Sequence, residues 1–147
     1  TDFDEIKTIV SEIRYISTAL DVKNPSLYFT NNSFLKNNAD SIARFARLTR
    51  VAEVESGRGL HLTNTRHDCW LDIDLHTAKV YATKLRVAKE EKQALIDRLE
   101  LRLNNKAYTD KAPKYVVQQT KDQLSRENEL LVKLSKELIA FETLSQS

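Results

Sequence analysis

Apolar residues recur at two different spacings along this 147-residue chain, and the change of spacing divides it into parts. From Asp4 to about Val22 they follow helical spacing, with acidic residues in the first turn, which predicts an amphipathic helix. Pro25 ends that helix, because the residue before a proline is pushed out of the helical region. The pattern therefore predicts a helical segment at residues 1–24.

Residues 25–75 contain short strand-like segments and one helical segment. A strand is predicted over residues 26–30, and a second helix follows the capping side chains of residues 31–33 and fades near Thr49. Three more strand-like segments come next, at residues 51–55, 60–63 and 69–75. Together they predict a small α/β unit with one helix packed on a short, mainly antiparallel sheet.

Heptad spacing replaces these patterns from Thr77 onward. The first seam is Ala78, Ala82, Leu85, Lys89, Lys92, Ile96, Leu99 and Leu103, and the second is Val117, Thr120, Leu124, Glu127, Leu131, Leu134, Leu138 and Phe141. Each predicts a helix of about 30 residues and about 45 Å. A loop over residues 104–113 joins them, with Pro113 well placed in the first turn of the second helix.

The two seams are complementary if the chain folds back on itself. An antiparallel register that places Ile96 against Leu124 also sets Lys92 against Glu127, so the charged seam positions meet one another. The predicted fold class is therefore α+β: a small helix-on-sheet α/β unit followed by a long antiparallel two-helix coiled-coil hairpin at residues 76–147.

Composition narrows the class of protein. Two glycines and two prolines exclude a collagen-like or turn-dense all-β chain and favour long helices. The single cysteine excludes an internal disulfide framework and agrees with a reducing, cytoplasmic location. No apolar run approaches the length of a membrane span. The absence of a starting methionine suggests a piece of a longer protein.

Basic residues are concentrated around the predicted hairpin loop. Residues 98–121 hold six basic side chains against two acidic ones, although the whole chain has a formal charge of only +2. The six are Arg98, Arg102, Lys106, Lys111, Lys114 and Lys121. With Tyr108 and Tyr115 between them, they can neutralise phosphates and stack on exposed bases. The alternative is an ordinary solvated helix face.

Other candidate sites are weaker. A second basic set, Arg44, Arg47, Arg50, Arg58 and Arg66, offers a supplementary contact or an ordinary surface. His67 and Cys69 make only half of a zinc site, and the pair Asp72 and Asp74 is more typical of a solvated strand face than of an ion site. No phosphate-binding glycine loop and no nucleophile constellation can be singled out. The sequence thus predicts no catalytic, cofactor-binding or metal-binding residue.

The hairpin loop carries a family resemblance. Asn105, Tyr108, Lys111-Ala112-Pro113 and Val116-Val117 resemble the loop of the C-terminal arm of valyl-tRNA synthetase. Upstream, residues 47–55 and 13–22 resemble the preceding region and the last helix of the anticodon-binding bundle of the same family. Ser17 departs from that pattern, where a second arginine is usual. Gln118 and Gln119 depart as well, replacing acids, and Thr109 replaces an apolar residue.

The resemblance implies a non-catalytic C-terminal fragment of a valine–tRNA ligase. In that family the arm leans on the outer corner of the tRNA, and ATP is used by a catalytic domain whose motifs this chain lacks. The implied partners are a valine-specific tRNA and the other domains of the synthetase, with no DNA and no membrane. The tRNA-binding residues would be the six basic side chains and Tyr108, which can instead pack the loop.

Two alternatives stay open at this stage. One is a coiled-coil module that docks a partner helix and binds no nucleic acid. The other is a free-standing relative that binds RNA without a synthetase body.

Overall fold

The computed structural model describes residues 1–146, which form two compact units. Unit 1 contains residues 1–81 and the end of the last helix from Phe141, and unit 2 contains Ala82–Ala140. The elements are α1 (Asp2–Leu20), β1 (Leu27–Phe29), α2 (Ser33–Asn37), α3 (Ala39–Ala46), β2 (Val51–Glu53), β3 (Leu60–His61), β4 (Cys69–Leu71), α4 (Leu75–Asn104), α5 (Lys106–Lys111) and α6 (Lys114–Ser145). Within residues 1–146, none of these helices has both the length and the apolar character that crossing a membrane requires.

The first predicted helix is confirmed as α1, and both of its ends are capped. The Thr1 side chain accepts a hydrogen bond from the Asp4 N–H at 3.2 Å. At the other end Asp21 takes a left-handed conformation (φ 53°), and the N–H of Val22 reaches the carbonyl of Ser17 at 2.9 Å. The buried face of α1 consists of Ile9, Ile13 and Ile16 with Glu12. This helix packs against α3, so it lies in the same compact unit as the sheet.

The second predicted helix is split in two. Asn32 caps α2 by accepting from the N–H of Leu35 at 2.9 Å, as its position predicted. Asn38 then leaves the helical conformation, and its side chain donates to the carbonyl of Phe34 at 2.8 Å. Such local side-chain bonds compete with helix propagation. The prediction of one continuous helix to Thr49 is therefore wrong: α3 starts afresh and ends at Ala46.

The four strands form a mixed sheet in the order β2-β1-β4-β3. The β1–β4 and β3–β4 pairs are antiparallel, as the mainly antiparallel prediction requires, whereas β1 and β2 are parallel. The parallel pair arises because α2 and α3 form the crossover between those strands. All of β1 is buried, as are Cys69, Leu71 and Ile73 on the face predicted to be apolar.

Both glycines of the chain lie where a side chain would collide with the sheet. A Cβ at Gly57 would lie 2.1 Å from Cε2 of Trp70, so the absence of a side chain lets the loop rest on the indole ring. Gly59 has φ +95°, and its Cβ would meet the carbonyl oxygen of Leu71. The 54–59 loop therefore closes over one face of the sheet.

The predicted hairpin is confirmed: α4 and α6 are helices of 30 and 32 residues that pack against each other. The ammonium of Lys92 lies 2.6 Å from the Glu127 carboxylate, the charged pair that the register required. Ile96, Leu99 and Leu138 are buried along the same seam. Matching the two seams in an antiparallel sense was therefore sufficient to find this charged contact.

The segment between the long helices is shorter and more ordered than predicted. Residues 104–113 were expected to form a loop, but α5 occupies Lys106–Lys111. Asn105 is its N-cap, and its side chain accepts from the N–H of Ala107 at 3.0 Å. The extended Ala112 then precedes Pro113, whose carbonyl accepts from the first turn of α6. The hairpin consequently ends in a helical turn.

Candidate nucleic-acid interface

The hairpin tip, defined here as residues 98–121, presents all of its predicted basic side chains to solvent. Arg98, Arg102, Lys106, Lys111, Lys114 and Lys121 are exposed. None of them forms a salt bridge with another residue in the described part of the chain, 1–146. Their charges are thus uncompensated by close acidic partners and are available to an anionic ligand.

Tyr108 is fixed inside the tip. Its hydroxyl lies 2.9 Å from Oγ1 of Thr120, a side chain that is only 6% exposed. Because Thr120 already donates to the carbonyl of Val116, the tyrosine hydroxyl is the donor in the bond between them. The Arg102 guanidinium carbon sits 5.9 Å from the Tyr108 ring centroid. This geometry favours the packing role that the sequence left open beside base stacking.

Tyr115 is the exposed aromatic residue of the tip. It lies in the first turn of α6, directly after Lys114, and is 68% exposed. Sequence spacing treated Tyr108 and Tyr115 alike, and only the packing at Thr120 separates them. An aromatic ring that is exposed beside lysines can stack on an RNA base.

A polar groove of about 420 Å³ lies beside Tyr108. Its lining includes Arg102, Gln119, Gln123 and Arg126, together with Thr120 at its buried edge. Sequence reasoning missed Arg126, which lies just beyond the basic run that was counted. The signal was its position on α6, five residues after Lys121.

The second basic set is divided among separate partners in unit 1. The guanidinium carbons of Arg50 and Arg58 lie 5.6 and 5.2 Å from the Tyr28 ring centroid. Hydrogen bonds from Arg50 and then Arg58 lower the pKa of Tyr28. Arg66 forms an ion pair with Glu5. These three arginines therefore have contacts within unit 1, with Tyr28 of β1 and with Glu5 of α1.

The histidines and the cysteine also have structural partners. His61 pairs with Asp68 at 3.2 Å, and His67 donates to Glu5 at 3.0 Å. Burial raises the pKa of the Cys69 thiol to about 12, so the thiol is protonated at neutral pH. Across residues 1–146 no three His, Cys, Asp or Glu side chains are grouped in a way that could hold a metal ion.

The two acids predicted to lie on the 69–75 strand follow β4, which ends at Leu71, and both accept hydrogen bonds. Asp72 accepts from the Tyr28 hydroxyl at 3.4 Å, and Asp74 accepts from the N–H of His76 at 2.8 Å. Both contacts tie a carboxylate to a neighbouring element, consistent with the structural alternative for this pair.

Two glutamates of α1 anchor the loop between β3 and β4, a role that was not predicted from the sequence. Glu12 is 5% exposed and accepts from the N–H groups of Thr63 and Asn64 at 2.9 and 3.0 Å. Glu5 accepts from His67, and that bond lowers the pKa of the Glu5 carboxyl. Because these partners lie some fifty to sixty residues away in the sequence, no local pattern points to them.

The structure defines the class of this chain as a small α+β unit followed by an antiparallel hairpin of long helices with an exposed basic tip, an arrangement suited to binding a nucleic acid. One comparison with known families gives a match. Residues 82–142, about two fifths of the chain, match the family model described as valyl tRNA synthetase tRNA binding arm. This stretch is therefore similar to the tRNA-binding arm of valyl-tRNA synthetases, and it contains the tip residues that carry the resemblance in the sequence. No curated protein matches the chain.

Proposed function

We propose that this chain is a non-catalytic C-terminal fragment of a valine–tRNA ligase whose hairpin tip contacts the outer corner of the tRNA. The proposal rests above all on the six exposed cations of the tip, which lack acidic partners within residues 1–146 and lie inside the matched arm. The partners are a valine-specific tRNA and the remaining domains of a cytoplasmic synthetase. The fragment itself uses no cofactor and binds no DNA.

The arm would act by binding and orientation. Helices of 30 and 32 residues extend for about 45 Å, enough to carry a binding tip well away from a catalytic body. Phosphate contacts from lysine and arginine position an RNA but do not read its sequence. The expected effect of the arm on aminoacylation is therefore a lower KM for tRNA with little change in kcat.

Within the tip the side chains have different roles. Arg98, Arg102, Lys106, Lys111, Lys114 and Lys121 would contact phosphates, because each is exposed. Tyr108 shapes the tip through its bond to Thr120, and Tyr115 is the better placed side chain for stacking.

Titration with tRNA at several salt concentrations tests this proposal. The wild-type chain should bind in the micromolar range or more weakly, with a slope of log K against log salt of about −4 to −5 for five or six phosphate contacts. Lys111→Glu/Lys114→Glu should abolish binding. The matched control, Lys133→Glu/Lys136→Glu, makes the same charge change at exposed positions of α6 far from the tip and should bind nearly as wild type.

A second RNA distinguishes the outer corner from general RNA affinity. A minihelix that keeps the acceptor and T arms but lacks the D arm has no complete outer corner, and it should bind more weakly than intact tRNA. Equal affinity for both RNAs would remove the outer-corner contact from the proposal. Binding that is absent or independent of salt would favour the protein-interaction alternative.

A further inference from the structure

The groove beside Tyr108 has the volume of a small-ligand site and the polar, cationic lining that a nucleotide requires. Its volume of about 420 Å³ falls within the roughly 300 to 1,000 Å³ of such pockets. The lining is mainly polar, and two arginines outweigh the single acid, Asp122. That carboxylate is itself occupied by a hydrogen bond from Gln118 at 3.0 Å.

One part of the groove lining is held by contacts within the tip. Thr120 holds the Tyr108 hydroxyl, and the Arg102 guanidinium carbon lies 5.9 Å from the Tyr108 ring centroid. The planar guanidinium of an arginine can stack on a nucleobase. The hydrogen bond to Thr120 positions Tyr108 without a ligand, which reduces the entropic cost of binding.

The lining also includes two carboxamides with no hydrogen-bond partner among the residues described. Gln119 and Gln123 are four residues apart and therefore share one face of α6. A glutamine amide presents a donor and an acceptor together, the combination that reads the edge of a base. Arg126, one turn further along, supplies a cation for a phosphate.

We infer that this groove binds a single unstacked nucleotide of the RNA. The base stacks on Arg102, Gln119 and Gln123 hydrogen-bond its edge, and Arg126 contacts the adjoining phosphate. The inference rests on the proposed function, because it assigns a further contact to the same RNA. It adds hydrogen bonds to the edge of a base, which neither the phosphate contacts nor stacking on Tyr115 supplies.

Replacing the uncharged Gln119 and Gln123 tests the role of the groove in RNA binding without changing the positive charge of the tip. Gln119→Ala/Gln123→Ala should weaken tRNA binding about tenfold, from the loss of two hydrogen-bonded contacts. It should leave the salt slope unchanged, because no charge is removed. Gln93→Ala/Asn128→Ala is the matched control, since it removes two exposed amides elsewhere on the hairpin. Alanine favours helix at all four positions, and circular dichroism checks the fold.

A fully paired RNA duplex supplies the second arm of the experiment. The duplex has no unstacked nucleotide, so the glutamine pair variant should bind it as wild type does. Equal losses on duplex and tRNA, or no loss on tRNA, would overturn the nucleotide site while leaving the salt-dependent tip contact in place. If the wild-type chain bound neither RNA, the proposed function would fail, and the nucleotide site with it.

Discussion

Removal of the Glu12 carboxylate should destabilise unit 1 more than its place in an amphipathic helix suggests. The side chain is 5% exposed and accepts three hydrogen bonds: from the N–H and hydroxyl of Thr63 at 2.9 and 3.2 Å, and from the N–H of Asn64 at 3.0 Å. Glu12→Ala deletes the acceptor for all three donors. It leaves the 62–68 loop attached to α1 through the contacts of Glu5 with Arg66 and His67.

The magnitude follows from these three bonds. A hydrogen bond to a charged group contributes about 1.5–3 kcal/mol to stability. Thr63 and Asn64 are themselves exposed, so water replaces part of what the carboxylate supplied. We expect Glu12→Ala to lower the free energy of unfolding by about 3 kcal/mol, and Glu12→Gln, which keeps one oxygen acceptor, by about half as much.

Trp70 makes the measurement local. It is the only tryptophan of the chain, it lies on β4, and its ring is 5.0 Å from that of His61. Urea unfolding followed by its fluorescence therefore reports on unit 1 and not on the hairpin. The control is Glu55→Ala, an exposed site expected to change stability by less than about 0.5 kcal/mol. A loss below 1 kcal/mol for Glu12→Ala, or one equal to the control, would refute the anchoring role.

Three further outcomes follow from the structure. Burial raises the pKa of the Cys69 thiol from 9.0 to about 12, so the unfolded chain loses this proton at lower pH than the folded chain does. The free energy of unfolding should be unaffected below pH 9 and should fall by up to about 1.4 kcal/mol per pH unit between pH 9 and 12. Cys69→Ala should remove this dependence. Glu127→Leu alone should lower the melting temperature of the helices, because it leaves the Lys92 ammonium without its partner. Lys92→Leu/Glu127→Leu should have a melting temperature equal to or above that of the wild type. A double variant that melts below the single variant would contradict this. Cysteines introduced together at Ile96 and Leu124 should form a disulfide readily, and faster cross-linking of a pair offset by one turn would disprove the register.

Local patterns determined the hairpin. Heptad spacing is read directly along the chain, and the match of Lys92 with Glu127 set the antiparallel register that the structure confirms. The same holds for the cap at Asn32, where a short polar side chain meets a free N–H group three residues away, whereas the cap at Asn105 lies in a segment that was predicted to be a loop. Each of these features depends on neighbours in sequence or on a regular repeat.

Residues that share one local signal were separated only by their long-range contacts. Tyr108 and Tyr115 look alike in the sequence, but the first is held by Thr120 and the second is exposed. Arg50 and Arg66 likewise belong to one basic set, yet one lies over Tyr28 and the other pairs with an acid of α1.

The sequence by itself determined that the chain forms long helices with a charged tip, because glycine is scarce and basic residues are concentrated at residues 98–121. Tertiary structure decided which polar groups that tip leaves free, how Glu12 anchors a loop 51 residues away, and that β1 and β2 run parallel. The physical reason is that periodicity encodes which face of an element is buried but not which distant segment covers it. That choice is made by packing and hydrogen bonding across the whole unit.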